Sequence, residues 1–365
     1  MSKDDSNSIL DALNKAKIGG EDGSGVSGYG TDLTLASHVK FGIASRIPQL
    51  DLSLGRPGYP AGRVVELFGL PASGKTTAAY HALAQCQKVG GAALLIDTER
   101  TFDPARASQC GIDVKSLMIT EANDIEEIFE KIDVALTAYV KDPLLAANPM
   151  MICVDSVTAV ETRYNSGRGM EMESRVGEDA RSIRRGLRKI NRKLGESNVC
   201  LIFINHSTAL VGKSFGKQSD SSGGHAIKFF SSVRVEFTFV SNINEGKSPE
   251  DKTRRGQVVN VSVIKNKVEK TNAPTAKLEL TENGFDLYEG LFEAFQTVGA
   301  LERVNSVNWH FVPTQTTLTK KEWRNLIDSY ADKEGKVLGI DGFYRYFLRT
   351  AAKDKFITSY GTGDA

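Results

Sequence analysis

The sequence predicts an α/β protein built on a mostly parallel sheet with an antiparallel extension. Two observations lead there. From Arg63 onward, short β-rich apolar runs (Val64 to Phe68, Ala92 to Ile96, Met150 to Val154 and Cys200 to Ile204) are separated by helical patterns such as Thr76 to Lys88 and Ile125 to Val140. Apolar strands alternating with helices imply parallel strands covered on both faces. After Val233 the texture changes to closely spaced alternating strands, Val233 to Val240, Val258 to Ile264 and Ala276 to Leu280, which add the antiparallel part.

The flanks differ from this core. Residues 1 to 18 carry Ile9, Leu10, Leu13 and Ala16 at roughly helical spacing, and a glycine-rich stretch from Gly19 to Gly30 follows. So short an amphipathic helix on a tether is unstable alone and must dock, on its own core or on a neighbour. Beyond Gly290, helical patterns fall at Leu291 to Leu301, Lys320 to Tyr330 and Asp341 to Lys353, with Trp309 and Trp323 available for a small core of α+β type. The division expected is an arm and linker over 1–45, a core over 46–285 and a C-terminal domain over 286–365.

The 365 residues are 40% hydrophobic and 25% charged, within the ordinary globular range. Forty-six basic residues against forty-five acidic ones leave a formal charge of +1, so any nucleic-acid surface has to come from local clustering. The four cysteines, Cys86, Cys110, Cys153 and Cys200, are widely separated and lack the close pairs of a zinc site. With neither a membrane-length apolar run nor the pattern of a signal peptide, the expectation is a reduced, cytoplasmic protein with no membrane partner.

The segment Gly69, Leu70, Pro71, Ala72, Ser73, Gly74, Lys75, Thr76 fits the phosphate-loop pattern GxxxxGK[ST], between a strand and a helix as that pattern requires. Glycines let backbone amides turn toward phosphates, a lysine serves the β and γ oxygens, and a hydroxyl at the helix N-terminus holds magnesium. Gly74, Lys75 and Thr76 fit those roles, which implies ATP and Mg2+. The apolar run ending at Asp155 supplies a carboxylate suited to orienting the magnesium through its water shell, although an aspartate there also serves as a helix cap. Asp97 and Glu99 close another strand, where ligands of parallel sheets gather. Glu99 is the candidate to position and deprotonate an attacking water; a plain surface carboxylate is the other reading.

At this point the sequence resembles the RecA recombinase family, from about Arg46 to Phe285 and in consistent order. Gly69 to Thr77 resembles its phosphate loop, Leu95 to Pro104 its catalytic-glutamate segment, Val154 to Val157 its magnesium aspartate, and Leu201 to Asn205 with His206 its γ-phosphate sensor strand. Ser222 to Phe230 and Lys265-Asn266-Lys267 are similar to two further family segments that ordinary phosphate-loop ATPases lack. The resemblance implies a RecA-like phosphate-loop ATPase core and a helical homopolymer with ATP between neighbouring subunits. In it Lys265 and Lys267 reach the adjacent protomer's nucleotide as cations supplied in trans; without the resemblance they read as one solvated strand face. It also implies an adenine site at Asp103 and Arg106, the latter standing where the family often has an aromatic, for which a guanidinium can substitute by stacking. Bacterial members usually carry glutamine where this chain has His206, and some phage members carry histidine. The C-terminus lacks the acidic tail of many bacterial relatives.

Between Arg181 and Lys193 stand seven basic residues and no acidic one, while Ile183, Leu187, Ile190 and Leu194 fall at helical spacing. A solvated basic helix is the plain reading. The loop before it, Asn165 to Gly177, resembles the family's first DNA-binding loop, and on that likeness Arg175, Arg181, Arg184 and Arg188 are assigned to DNA. The segment Ser207 to Gly224 is rich in Ser, Gly and Lys without secondary-structure period. There Val211 resembles the family's apolar wedge between base triplets, and Gly223, Gly224 and His225 would let the backbone approach the strand. Phe229 falls at a protomer interface by resemblance, or in the core by its apolarity. The function implied is an ATP-dependent recombinase that forms a filament on single-stranded DNA and exchanges strands with homologous duplex, aided by single-strand-binding and loader proteins. A RecA-fold helicase or motor and a non-catalytic recombination mediator are the alternatives.

Overall fold

In a computed structural model, the described residues are 39, 42–55, 58–166, 177–209, 219–221, 225–245, 253–269 and 275–351. The strands are β1 (Gly42–Ile43), β2 (Tyr59–Pro60), β3 (Val64–Gly69), β4 (Ala92–Asp97), β5 (Met118–Glu121), β6 (Met150–Asp155), β7 (Val199–Ala209), β8 (Ser219–Ser221), β9 (Val233–Glu245), β10 (Thr253–Asn266), β11 (Thr275–Thr281), β12 (Gly284–Phe285), β13 (Leu301–Arg303), β14 (Asn308–Phe311) and β15 (Thr316–Thr319). The helices are α1 (Pro48–Leu54), α2 (Lys75–Lys88), α3 (Pro104–Gln109), α4 (Ile125–Lys141), α5 (Pro143–Ala146), α6 (Arg163–Ser166), α7 (Glu178–Glu196), α8 (His225–Phe230), α9 (Leu287–Thr297), α10 (Lys320–Asp328) and α11 (Gly339–Ala351).

The main sheet runs β12-β11-β10-β9-β3-β7-β6-β4-β5, with β8 paired to β7. Its half from β9 through β3 to β5 is parallel, and its half from β9 to β12 is antiparallel. The α/β architecture expected from the alternating runs is therefore the one observed. Strands β3, β4, β6 and the first part of β7 are apolar on both sides because helices cover both faces. One core packs α2 against Val65, Leu67, Leu95 and Ile202. The other packs α4 and α7 against Val64, Ile152 and Phe203.

Three elements depart from expectation. The edge strand β5 has Met118 and Ile119 exposed, so its four residues show no buried period. Helix α1, with Pro48 at its first turn and Gly55 closing it in the left-handed region, is too short to show periodicity. The helix expected over Leu291 to Leu301 begins earlier, where the Asp286 carboxylate caps the amides of Tyr288 and Glu289, and ends at Thr297. Gly299 (φ 72°) turns the chain, and Leu301 opens β13 instead.

Residues beyond Leu287 enclose a third core of packed aromatics in which Phe295, Phe311, Trp323 and Phe343 meet edge to face. Strands β13, β14 and β15 form an antiparallel sheet beside it. This part is pinned to α1 and the segment before it: the Tyr344 hydroxyl donates to Asp51 and accepts from the Arg46 amide at 3.0 Å, and Arg46 pairs with Asp341 at 2.6 Å. All four cysteines are free and buried. Among the described residues no helix is long and apolar enough to cross a membrane.

Helix α7 seats closely on α4 at Gly186, where an added Cβ would lie 2.2 Å from the Phe129 ring. Glycine-to-alanine within a helix ordinarily gains about 1 kcal/mol, but with three Phe129 ring carbons at 2.2–2.6 Å the clash falls at the upper end of overpacking costs, about 3 kcal/mol, and outweighs that gain. Gly186→Ala should therefore melt below wild type. Equal or higher melting would refute this close seat.

Candidate nucleotide-binding site and nucleic-acid face

The site forms where β3 turns into α2. Gly69 must be glycine, since a Cβ there would lie 2.2 Å from the carbonyl oxygen of Phe237 on β9. The turn continues through Ala72 (φ 59°) and Gly74 (φ 96°), with Leu70, Pro71 and Ala72 exposed and Ser73 buried. No side chain caps the N-terminus of α2, so its first amides are left to face a ligand. Lys75 is buried and its Nζ donates to the Leu70 carbonyl at 2.7 Å. Burial lowers its pKa from the ordinary lysine value, opposed by the nearby Asp155 and Glu99 carboxylates. Gln257 of β10 braces the loop through Nε2 to the Ala72 carbonyl at 2.6 Å. Nothing in the sequence pointed to that contact between residues so far apart in the chain.

Parallel register brings the other groups to the same edge. Asp97 and Asp155 are opposite one another at the ends of β4 and β6, and Gly69 is opposite His206 between β3 and β7. The Thr76 hydroxyl donates to Asp155 Oδ2 at 2.8 Å. Asp155 is pushed up to about 6, chiefly by burial; the Thr76 bond opposes this, Glu99 and Asp97 add to it, and Lys75 opposes it. Among the described residues no cluster of three or more His, Cys, Asp or Glu could hold a metal on its own. The Thr76–Asp155 pair fits a hard cation that brings water and phosphate oxygens with it, as magnesium does.

Asp97 is an organiser. Its carboxylate accepts the amides of Glu99 at 3.1 Å, Arg100 at 2.8 Å and Phe102 at 3.0 Å, which folds the segment after β4 over the site, with Arg100 at φ 55°. The Thr98 hydroxyl ties the same segment to the Ser156 carbonyl at 2.7 Å. Glu99 thereby meets His206, Oε1 to Nε2, at 3.1 Å. Burial alone would raise the Glu99 carboxyl, but the neighbouring Ser156 hydroxyl, the His206 ring and Lys75 together hold it below the ordinary glutamate value. Asp103 caps α3 by accepting from the Ala105 amide at 2.8 Å. Arg106 reaches Thr77 Oγ1 at 3.3 Å and the Thr281 carbonyl at 3.2 Å, spanning from α2 to the end of β11.

Helix α7 buries Ile183, Leu187, Ile190 and Leu194 and exposes Arg181, Arg184, Arg185 and Arg188. Lys189 and Lys193 are drawn back onto Asp133 of α4, at 3.1 and 2.6 Å, and Arg181 pairs with Glu178 at 3.4 Å. Arg184 and Arg188, with Ala226, Phe229 and Phe230, line a cleft of about 360 Å³. Phe229 is 72% exposed, which excludes the core reading for that residue. Arg175, Val211, Gly223 and Gly224 lie outside the described residues, as does the side chain of His225 at the start of α8.

Lys265 and Lys267 are not brought to this chain's own phosphate loop. Lys265 is opposite Arg234, and Arg234 is opposite Glu66 near the start of β3. Gly69 stands three residues further along, about 10 Å at the usual strand rise. Lys265 Nζ donates to the carbonyls of Lys228 at 2.5 Å and Phe229 at 3.3 Å. Lys267 Nζ lies 5.7 Å from the Phe229 ring centroid.

The chain is similar to known proteins over most of its length. The family model described as the RecA N-terminal domain matches residues 31–283. The chain is 36% identical over 269 residues to Protein RecA of Thermotoga maritima, covering 73% of this chain and 70% of that one. It is 35% identical over 272 residues to Protein RecA of Lactobacillus johnsonii, with the same coverage of 73% and 70%. With Protein RecA of Herpetosiphon aurantiacus it shares 38% over 219 residues, 60% of this chain and 57% of that one.

The raised Asp155 sets a pH test. Its folded value lies above the unfolded one, so the cation-free protein holds an extra proton between pH 3.8 and about 6, and stability from this group falls as pH rises through that window. Asp155→Asn should therefore stabilise the cation-free protein at pH 7 by about 1–3 kcal/mol. The advantage should vanish near pH 4, and the variant should lose stabilisation by magnesium with ATP. A variant less stable than wild type at pH 7 in thermal melts would contradict this electrostatic account.

Proposed function

The chain belongs to the RecA family, and on that premise we propose that it is an ATP-dependent recombinase that forms a helical filament on single-stranded DNA and exchanges strands with homologous duplex. The observation that carries the reading is the convergence at one sheet edge of Lys75, the Thr76–Asp155 pair and the Glu99–His206 pair, beside an uncapped helix N-terminus.

In this reading ATP binds with its phosphates along Gly69 to Thr77, and its adenine lies toward Asp103 and Arg106. Thr76 and Asp155 hold magnesium, which when bound offsets charge on the phosphate oxygens. Lys75 leaves the Leu70 carbonyl for the β and γ oxygens. Glu99, held below the ordinary glutamate value, is ionised at neutral pH and accepts the proton of the attacking water at Oε1 or Oε2. His206 breaks from Glu99 to donate to the γ-phosphate and so reports its presence to the segment that follows β7.

The distance of Lys265 and Lys267 from their own phosphate loop supports a role in trans, on the nucleotide of the neighbouring protomer. The exposed arginines of α7 supply phosphate contacts that tolerate any sequence and weaken with salt. The residues over 1–45 then form the polymerisation arm, 46–285 the ATPase and DNA-binding core, and 286–365 a domain for duplex DNA. The protein works in the cytoplasm of a bacterium or of a phage-infected cell, with single-strand-binding and loader proteins.

Strand exchange between circular single strands and homologous linear duplex, with ATP and magnesium, tests the proposal. Wild type should form joint molecules. Lys75→Ala should lose ATP turnover, and Lys265→Ala should lose at least about a hundredfold, as expected for a cation supplied in trans. Wild type that hydrolyses ATP on single-stranded DNA without forming joint molecules would overturn strand exchange and leave a motor.

A further inference from the structure

A row of polar side chains crosses the centre of the main sheet on four consecutive strands: Asn205 on β7, Glu66 on β3, Arg234 on β9 and Lys265 on β10. Asn205 Nδ2 donates to Glu66 Oε1 at 2.8 Å, and Arg234 Nε donates to Glu66 Oε2. Thr158, three residues after Asp155, donates to Asn205 Oδ1 at 3.3 Å. The Arg234 guanidinium lies 4.7 Å from the ring centroid of Phe68, the residue before the phosphate loop. Glu66 and Asn205 are fully buried and Arg234 is 8% exposed, although Val64 on the same strand face belongs to the apolar core.

Stability does not explain this row. Removing two charges from water costs several kcal/mol per ion, and replacing such a pair by apolar side chains is commonly neutral or stabilising. The row's ends are more informative. Asn205 immediately precedes His206, which touches Glu99 at 3.1 Å. Lys265 is the cross-strand partner of Arg234 and holds the last carbonyls of α8. Arg234 is near enough for its charge, after burial and Lys267, to lower the Lys265 pKa.

We infer that Glu66 and Arg234 are positioning residues that tie a protomer's own γ-phosphate sensor, the Asn205–His206 strand end, to the seat of the lysines it lends to its neighbour. The Glu66 carboxylate is held from both sides, by Asn205 at Oε1 and by Arg234 Nε at Oε2, so displacement of β7 when His206 leaves Glu99 is passed through Glu66 and Arg234 to β10. One protomer's nucleotide state thereby sets how well it serves the next site. The inference rests on the reading of Lys265 as acting in trans.

The test uses the full chain carrying Glu66→Leu with Arg234→Met, an apolar pair that keeps the core filled. ATP turnover on poly-dT is measured alone and in equal mixture with Lys75→Ala, whose own site is dead but whose Lys265 is intact. Alone, the double variant should lose about a hundredfold in kcat, as for a misplaced catalytic group, with KM for ATP unchanged. In the mixture, turnover should rise well above the sum of the two proteins, because correctly seated lysines reach the variant's sound phosphate loops. Unchanged kcat, or a loss that the mixture does not repair, would overturn the inference. Arg234→Lys, which keeps the charge but not the guanidinium Nε that meets Glu66, should show a smaller loss repaired in the same way, and answers the question if the double variant does not fold. Lys265→Ala mixed with Lys75→Ala is the control. If that mixture gains nothing, the role in trans is itself wrong.

Discussion

Parallel, in-register pairing of β3, β4, β6 and β7 is the constraint on which the rest depends. It sets Gly69 beside His206 and Asp97 beside Asp155, so the carboxyl ends of four strands deliver their polar residues to one edge. A shift of one residue in any pairing would swap the side chains of one core into the other, where size and shape no longer match their neighbours. Register is therefore enforced by close packing on both faces of the strands, and the site inherits its geometry from that packing. Gly69 shows how tight the fit is, because β9 leaves no room for a Cβ beside it.

The same convergence creates an electrostatic demand. Asp97, Glu99 and Asp155 crowd one edge, and each answers the crowding differently. Asp97 spends its charge on three backbone amides, Glu99 is balanced by His206 and Lys75, and Asp155 is left with burial and its neighbours pushing it up to about 6. A hard cation with its own oxygen ligands relieves that demand, and the uncapped end of α2 offers amides to the anion that accompanies it. Under the proposed function, this crowding is what a magnesium–nucleotide pair would relieve.

Much of this was legible in the chain because it is local. The phosphate loop, the strand-end residues Asp155 and Glu99 and the amphipathic arginine helix all declare themselves within a dozen residues. What was hidden depends on partners distant in sequence. Gln257 bracing Ala72, Asp97 acting on backbone amides instead of ligand, and Glu66 meeting Arg234 across two strands leave no periodic trace. The end of α9 is not legible in the sequence because Leu301 continues the helical apolar spacing, while Gly299 makes the turn. Phe229 has the composition of a core residue, and only its 72% exposure beside Arg184 and Arg188 excludes that reading.

The central claim is that the nucleotide site is completed by a second copy of the chain. The direct measurement is electron cryomicroscopy of the full chain on single-stranded DNA with magnesium, ADP and aluminium fluoride. The account predicts a helical filament in which Lys265 and Lys267 of one protomer approach the fluoride group held by Lys75, Thr76 and Asp155 of the next. Closed rings, or a nucleotide contacted by one protomer alone, would contradict it.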